Sequence, residues 1–175
     1  MRPVPYTTLL RSQYIASIPF TANTAANLPT EGGNLPRDKY LWGLKLTVRG
    51  RATMPASGGP TGLIGPDGPY ALVQKVAVEG YHIPRSNLEL FYHLRGPDIR
   101  LMQNYYLPRP FDEEPESWSF AANATNDFRF ILLVPFVPLR VSPLEQANYL
   151  LDAPFYNPLK LTVHWGDVTC MFNSY

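Results

Sequence analysis

The pentapeptide Leu-Lys-Leu-Thr-Val occurs twice in this chain, at Leu44–Val48 and at Leu159–Val163. In the second copy the pattern continues, so Leu159, Leu161, Val163 and Trp165 alternate with Lys160, Thr162 and His164. A period of two is the signature of a strand with one buried face. One such ribbon early and a near-twin at the end suggest two strands lying side by side, as when a Greek key or jelly roll returns a late strand beside an early one. The fold class this predicts is all-β: a single jelly-roll β-sandwich of about eight strands, with two short helices in its connections.

The other segments fit that frame. Lys39–Arg51 reads as a strand with Leu44, Leu46 and Val48 inward and Lys45, Thr47 and Arg49 outward. Ala71–Tyr81 is a second, with Leu72, Val76 and Val78 on one face. Ser86-Asn-Leu-Glu89 has the letters of a capping box, which predicts a helix over Asn87–Arg95 stopped by Gly96-Pro97. Ile99–Leu107 is read as a strand, Phe111–Ser119 as an acidic solvated turn, and Trp118–Phe120 as the start of a short strand. Asp127–Val137 is the most apolar stretch and predicts a strand covered on both faces, with Pro135 and Pro138 confining its end. A second capping box, Ser142-Pro-Leu-Glu145, predicts a helix over Pro143–Leu151 that stops before Pro154. The closing strand is placed at Leu159–Val168.

Two segments stand outside this core. Residues 1–20 carry Leu9, Leu10, Tyr14, Ile15, Ile18 and Phe20 between Pro3, Pro5 and Pro19, which rule out one continuous helix. So much apolar surface is expected to pack on something, as an edge strand or as an arm on a neighbour. Residues 54–69 place glycines at 59, 62, 65 and 68. Four triplets are too few for a collagen-like helix, so a long Gly/Pro surface loop is expected.

Composition narrows the function. At 175 residues the chain fits one domain, 1–175, and buries roughly 70% of its unfolded surface without staples. Its one cysteine, Cys170, can form no internal disulfide or thiolate cluster and is expected to be a small buried or half-buried apolar residue. No apolar run near Met1 or elsewhere is long enough for a signal peptide or a membrane helix, so the expectation is a soluble chain made in the cytoplasm. Charged residues are 17% and the net charge is +1, against a usual ~25% charged. Near-neutral surfaces associate readily. Eleven tyrosines, and eleven arginines to four lysines, are the residue types that interfaces favour, although an aromatic core accounts for part of the tyrosine excess. Nineteen prolines, about twice the usual share, point to a heat-adapted source, because loop proline lowers the entropy of the unfolded chain.

No catalytic pattern appears. His82, His93 and His164 have no metal-ligand spacing, and there is no His-Glu-x-x-His, Gly-x-Ser-x-Gly or phosphate loop. Asp112, Glu113, Glu114 and Glu116 lack the alternation of a calcium loop. Arg49 and Arg51 are the densest basic spot, too little for nucleic-acid binding at this net charge. The expectation is a non-enzyme with no cofactor, no metal and no specific nucleic-acid partner. Two other readings are weighed: a carbohydrate- or receptor-binding jelly roll stacking sugars on Trp42, Trp118 and Trp165, and a cupin-like enzyme, for which the clustered ligands are missing.

The Leu-Lys-Leu-Thr-Val strands, the run Phe128–Arg140 followed by Val141-Ser-Pro-Leu-Glu-Gln-Ala, and the closing Leu159–Asp167 together resemble the smaller single jelly-roll capsid protein of tailless icosahedral viruses that have an internal membrane and infect thermophilic bacteria. The resemblance spans nearly the whole chain. It implies a structural virion protein, assembled in the host cytoplasm, that forms homodimers through exchanged or extended termini. It further implies a larger companion jelly-roll capsid protein and an internal lipid membrane as partners. On that reading residues 1–20 and 169–175 are exchange arms, with Tyr6, Leu9, Leu10, Tyr14, Ile15, Ile18, Phe20, Met171, Phe172 and Tyr175 as interface candidates. The Gly/Pro loop at 54–69 becomes a tower or inter-capsomer contact.

Overall fold

The computed structural model of the chain describes residues 13–30, 34–54, 64–65, 67–106, 120–138 and 149–172. In chain order the elements are β1 (Ala25–Asn27), β2 (Tyr40–Leu41), β3 (Gly43–Thr53), β4 (Val73–His82), β5 (Asn87–Leu94), α1 (Gly96–Tyr106), β6 (Thr125–Pro135), β7 (Leu151–Asp152) and β8 (Tyr156–Trp165). They form an antiparallel sheet ordered β1-β8-β4-β5, a two-stranded ribbon β3-β6 and a short pair β2-β7. Val76, Val78, Leu159, Leu161 and Val163 from the sheet share one apolar core with Leu44, Phe128, Phe130, Leu132 and Val134 from the ribbon. The result is an all-β sandwich in which the last strand returns between an early strand and β4, the jelly-roll arrangement.

The predicted faces are where the alternation puts them. Leu44 is buried and Leu46 and Val48 half-buried, while Lys45, Thr47 and Arg49 are exposed. Leu159, Leu161, Val163 and Trp165 are buried. On β6, Phe130, Leu132 and Val134 face the core, and Ile131, on the opposite side of the strand, is buried as well. The twin pentapeptides, however, are not neighbours. β3 pairs with β6, bringing Leu44, Leu46 and Val48 opposite Val134, Leu132 and Phe130, whereas β8 pairs with β1 and β4. Period-two alternation states that one face of a strand is buried; both layers of a sandwich satisfy that equally, and the letters do not choose the layer.

The stretch from residue 83 to 106 reverses two expectations. Ser86 has a positive φ of 52° and closes the turn between β4 and β5, so Asn87–Leu94 is a strand, not a helix. Pairing with β4 along the edge of the sheet outweighs a local capping signal. Gly96-Pro97, read as a helix stop, opens α1 over the residues expected to form a strand. Proline in a first helical turn lacks only an N–H that would have no partner there. Arg95 closes this start by donating from Nε and Nη2 to both Asp98 oxygens at 3.0 Å each, which holds the Asp98 carboxyl below its ordinary range.

Other boundaries move less. The closing strand runs over Tyr156–Trp165, and Val168–Met171 is a 3-10 turn whose start is capped by Asp167. Of the helix expected over Pro143–Leu151, only Tyr149–Leu151 lie among the described residues, and Leu151 opens β7. The acidic turn at 111–119, Trp118 and most of the loop at 54–69 lie outside them. Cys170 is exposed rather than buried.

Gly96 marks a close approach between α1 and the 3-10 turn at Gly68–Leu72. A Cβ there would collide with the Tyr70 carbonyl oxygen and stand 3.0 Å from Val73 Cβ. Because the obstacle is backbone, Gly96→Ala is expected to cost about 2–3 kcal/mol, measurable as a lowered urea midpoint with an unchanged slope.

Candidate functional site

The segment from Gln13 to Phe20 lies against the body of the chain. Ile15, Ala16 and Ile18 pack on the core. The Trp165 indole N–H donates to the Pro19 carbonyl at 3.1 Å, and the Phe20 ring meets Trp165 edge-on at 5.6 Å. Lys39 Nζ donates to Gln13 Oε1 at 2.8 Å. Tyr14 remains 76% exposed and Phe20 46%. At the other end, Met171 and Phe172 belong to the chain's own core. Gly65 N–H donates to the Met171 carbonyl at 3.0 Å, Ile64 bridges Phe172, and Phe120 meets the Phe172 ring at 5.8 Å. The tail expected to be an arm therefore fills the end of the sandwich as far as Phe172. Of the ten interface candidates, Tyr14 and Phe20 offer open surface and Ile15 and Ile18 are half-buried, while Tyr6, Leu9, Leu10 and Tyr175 lie outside the described residues.

A surface that the sequence reading missed is the outer face of the four-stranded sheet. Paired residues in antiparallel strands share a face, and the register places His164 beside Lys75, Lys160 beside Glu79, and Tyr81 beside Leu88. Leu88 is 66% exposed and Leu90 56%. Reading Asn87–Arg95 as a helix hid this; with a strand assignment the spacing of Leu88 and Leu90 would have shown two apolar residues on one face. Burial, with Lys75 and His93 close by, holds the His164 imidazole below its ordinary value.

The core-facing side of the same sheet carries a polar cluster at one end. Tyr156 donates its hydroxyl to Glu89 Oε2 at 2.7 Å, and Arg85 Nη1 and Asn87 Nδ2 donate to Oε1 at 3.3 and 3.4 Å. The Tyr156 ring packs edge-on against His82 and Phe91, both at 5.0 Å, and Gly80 opposite leaves room for it. His82 Nδ1 accepts from the Arg85 backbone N–H at 3.1 Å. The Tyr156 bond holds the Glu89 carboxyl below its usual range, and burial followed by that same bond pushes the Tyr156 phenol up. Every member of the cluster is engaged by a neighbour, an arrangement suited to locking the β4-β5 hairpin onto β8.

Tyr156→Phe is accordingly expected to cost about 1–2 kcal/mol at neutral pH. Glu89's folded pKa is depressed, so its contribution is present above the unfolded carboxylate pKa and is lost as pH falls through the folded value. The stability gap between wild type and Tyr156→Phe should therefore narrow below about pH 4.5; urea melts from pH 7 to pH 3 read this directly, and a gap constant with pH would contradict the Glu89 pairing.

Among the described residues no group of histidine, cysteine and carboxylate side chains could hold a metal. Arg51 pairs with Asp127 at 2.7 Å, and Arg49 stands opposite Arg129 across the ribbon. Of the three tryptophans weighed as a sugar platform, Trp165 is a core residue, Trp42 is half-buried and Trp118 lies outside the described residues.

Against solved structures, the chain superposes on the crystal structure of the STIV MCP, a major capsid protein, with a TM-score of 0.60 over 85% of its own length at 14% identity. What is shared is the fold. The chain spans 39% of the length of that capsid protein. No family model and no curated protein matches the sequence.

Proposed function

We propose that this chain is a structural virion protein, a single jelly-roll capsid subunit that self-associates and packs with a partner capsid protein into an icosahedral shell. The observation that carries this is the jelly-roll fold shared with a viral major capsid protein over 85% of the chain. Low net charge, many tyrosines and exposed Tyr14, Phe20, Leu88 and Leu90 support it. On the same reading the chain resides in the virion after assembly in the host cytoplasm. It forms homodimers through its N-terminal segment, alongside a larger jelly-roll companion and an internal lipid membrane, and the virus infects a thermophilic bacterium. Light scattering of the purified chain at micromolar concentration is expected to give a dimer or larger species, and electron microscopy with the companion protein is expected to give sheets or shells. A monomer at every concentration, with no shell in the mixture, would overturn the proposal.

A further inference from the structure

The outer face of the β1-β8-β4-β5 sheet is divided into two halves by its register. Rows running across the strands read His164–Lys75, then Thr162–Ala77–His93, then Lys160–Glu79–Leu90, then Tyr81–Leu88. Towards one end stand Lys75, Lys160, His93 and His164, with Glu79 the one acid in these rows. Among the described residues neither lysine is in an ion pair. Towards the other end Tyr81, Leu88 and Leu90 are exposed together, and Ile83 follows at the turn. This apolar half presents roughly 400 Å² to solvent, the size of the largest patch on a typical monomer and about half of what one partner contributes to a stable interface.

A partner for such a face needs carboxylates set next to large apolar side chains. The chain's own sequence holds one stretch with that chemistry, Phe111-Asp-Glu-Glu-Pro-Glu-Ser-Trp118, with four carboxylates between two aromatics. We propose that this sheet face docks the acidic 111–118 stretch of a second copy of the chain. Each copy carries both a face and a stretch, so two reciprocal contacts related by a two-fold axis satisfy both. Complementary charge fixes the register, and the leucine patch supplies the apolar burial. The inference rests on the self-association proposed above and adds to the N-terminal segment a second contact surface between copies.

Charge reversal tests it. The variants K75E/K160E and E113K/E114K exchange one charged side chain for another, and each should melt like the wild type. Separately, each sets like charge against like, and self-association by sedimentation velocity is expected to weaken about tenfold or more. Mixed in equal amounts, both contacts become attractive again, and mixed dimers of wild-type affinity are expected, weakening as salt is raised. If the wild type self-associates while both variants do so equally well, or the mixture is no tighter than either variant alone, the inference is overturned and the capsid reading stands. A face that instead loses binding to anionic phospholipid vesicles on K75E/K160E, with self-association unchanged, overturns it too. A wild type that never associates removes both.

Discussion

Phe130→Ala is expected to lower stability by about 4 kcal/mol, a large fraction of what a domain of this size possesses. Phe130 lies on β6 with no exposed surface. Its ring stacks on Phe128 at 6.3 Å and meets Tyr70 edge-on at 5.0 Å, and across the ribbon it pairs with Val48. Truncation removes the transfer energy of a whole ring and leaves a cavity that β-structure on both sides cannot close. With a urea slope of about 2 kcal/mol/M the midpoint should fall by about 2 M. Phe130→Leu keeps most of the volume and should lose about 1–1.5 kcal/mol, while Leu90→Ala, at an exposed site, should stay within about 0.5 kcal/mol. If Phe130→Ala fell no further than Phe130→Leu, the ring would not be the joint between the ribbon and the Gly68–Leu72 turn that the packing makes it.

The contrast between Phe130 and Leu90 also shows what the sequence can and cannot reveal. Which residues of β3, β6 and β8 face inward follows from alternation alone, because burial is decided residue by residue. Which strands are neighbours is decided by the whole sandwich, and two identical pentapeptides ended in different sheets. Local signals misled where tertiary pairing was stronger: the Ser86–Glu89 box became the end of a turn and the start of β5, whose Glu89 accepts from Tyr156 on a distant strand, and Gly96-Pro97 began a helix instead of ending one. Apolar residues near a terminus carry a similar ambiguity. Composition alone does not separate Met171, which completes the core, from Tyr14, which stands in solvent. The sheet face with Lys75, Lys160, Leu88 and Leu90 was hidden because β5 carries a helix-start signal, and its rows exist only once three strands are in register.

The second large effect is expected at Trp165, where the N-terminal segment meets the sandwich. Its side chain is buried, its indole N–H donates to Pro19 and its ring packs on Phe20, and its own backbone N–H donates to the Thr24 carbonyl at 2.8 Å. Trp165→Ala should cost about 3–5 kcal/mol from lost burial and an unfilled space. Trp165→Phe keeps an aromatic ring but leaves the Pro19 carbonyl without its donor, at a cost of about 1 kcal/mol. The informative readout is local. Amide hydrogen exchange over residues 13–20 should quicken in both variants, because Ile15 and Ile18 are held to the core through this anchor and a segment with few backbone bonds opens below the global unfolding energy. Exchange in β4 and β8 should quicken only in Trp165→Ala. A segment that stays as protected in Trp165→Phe as in the wild type would mean that its apolar contacts alone secure it. The indole would then be a core residue with no part in holding the arm that a neighbouring copy is proposed to take.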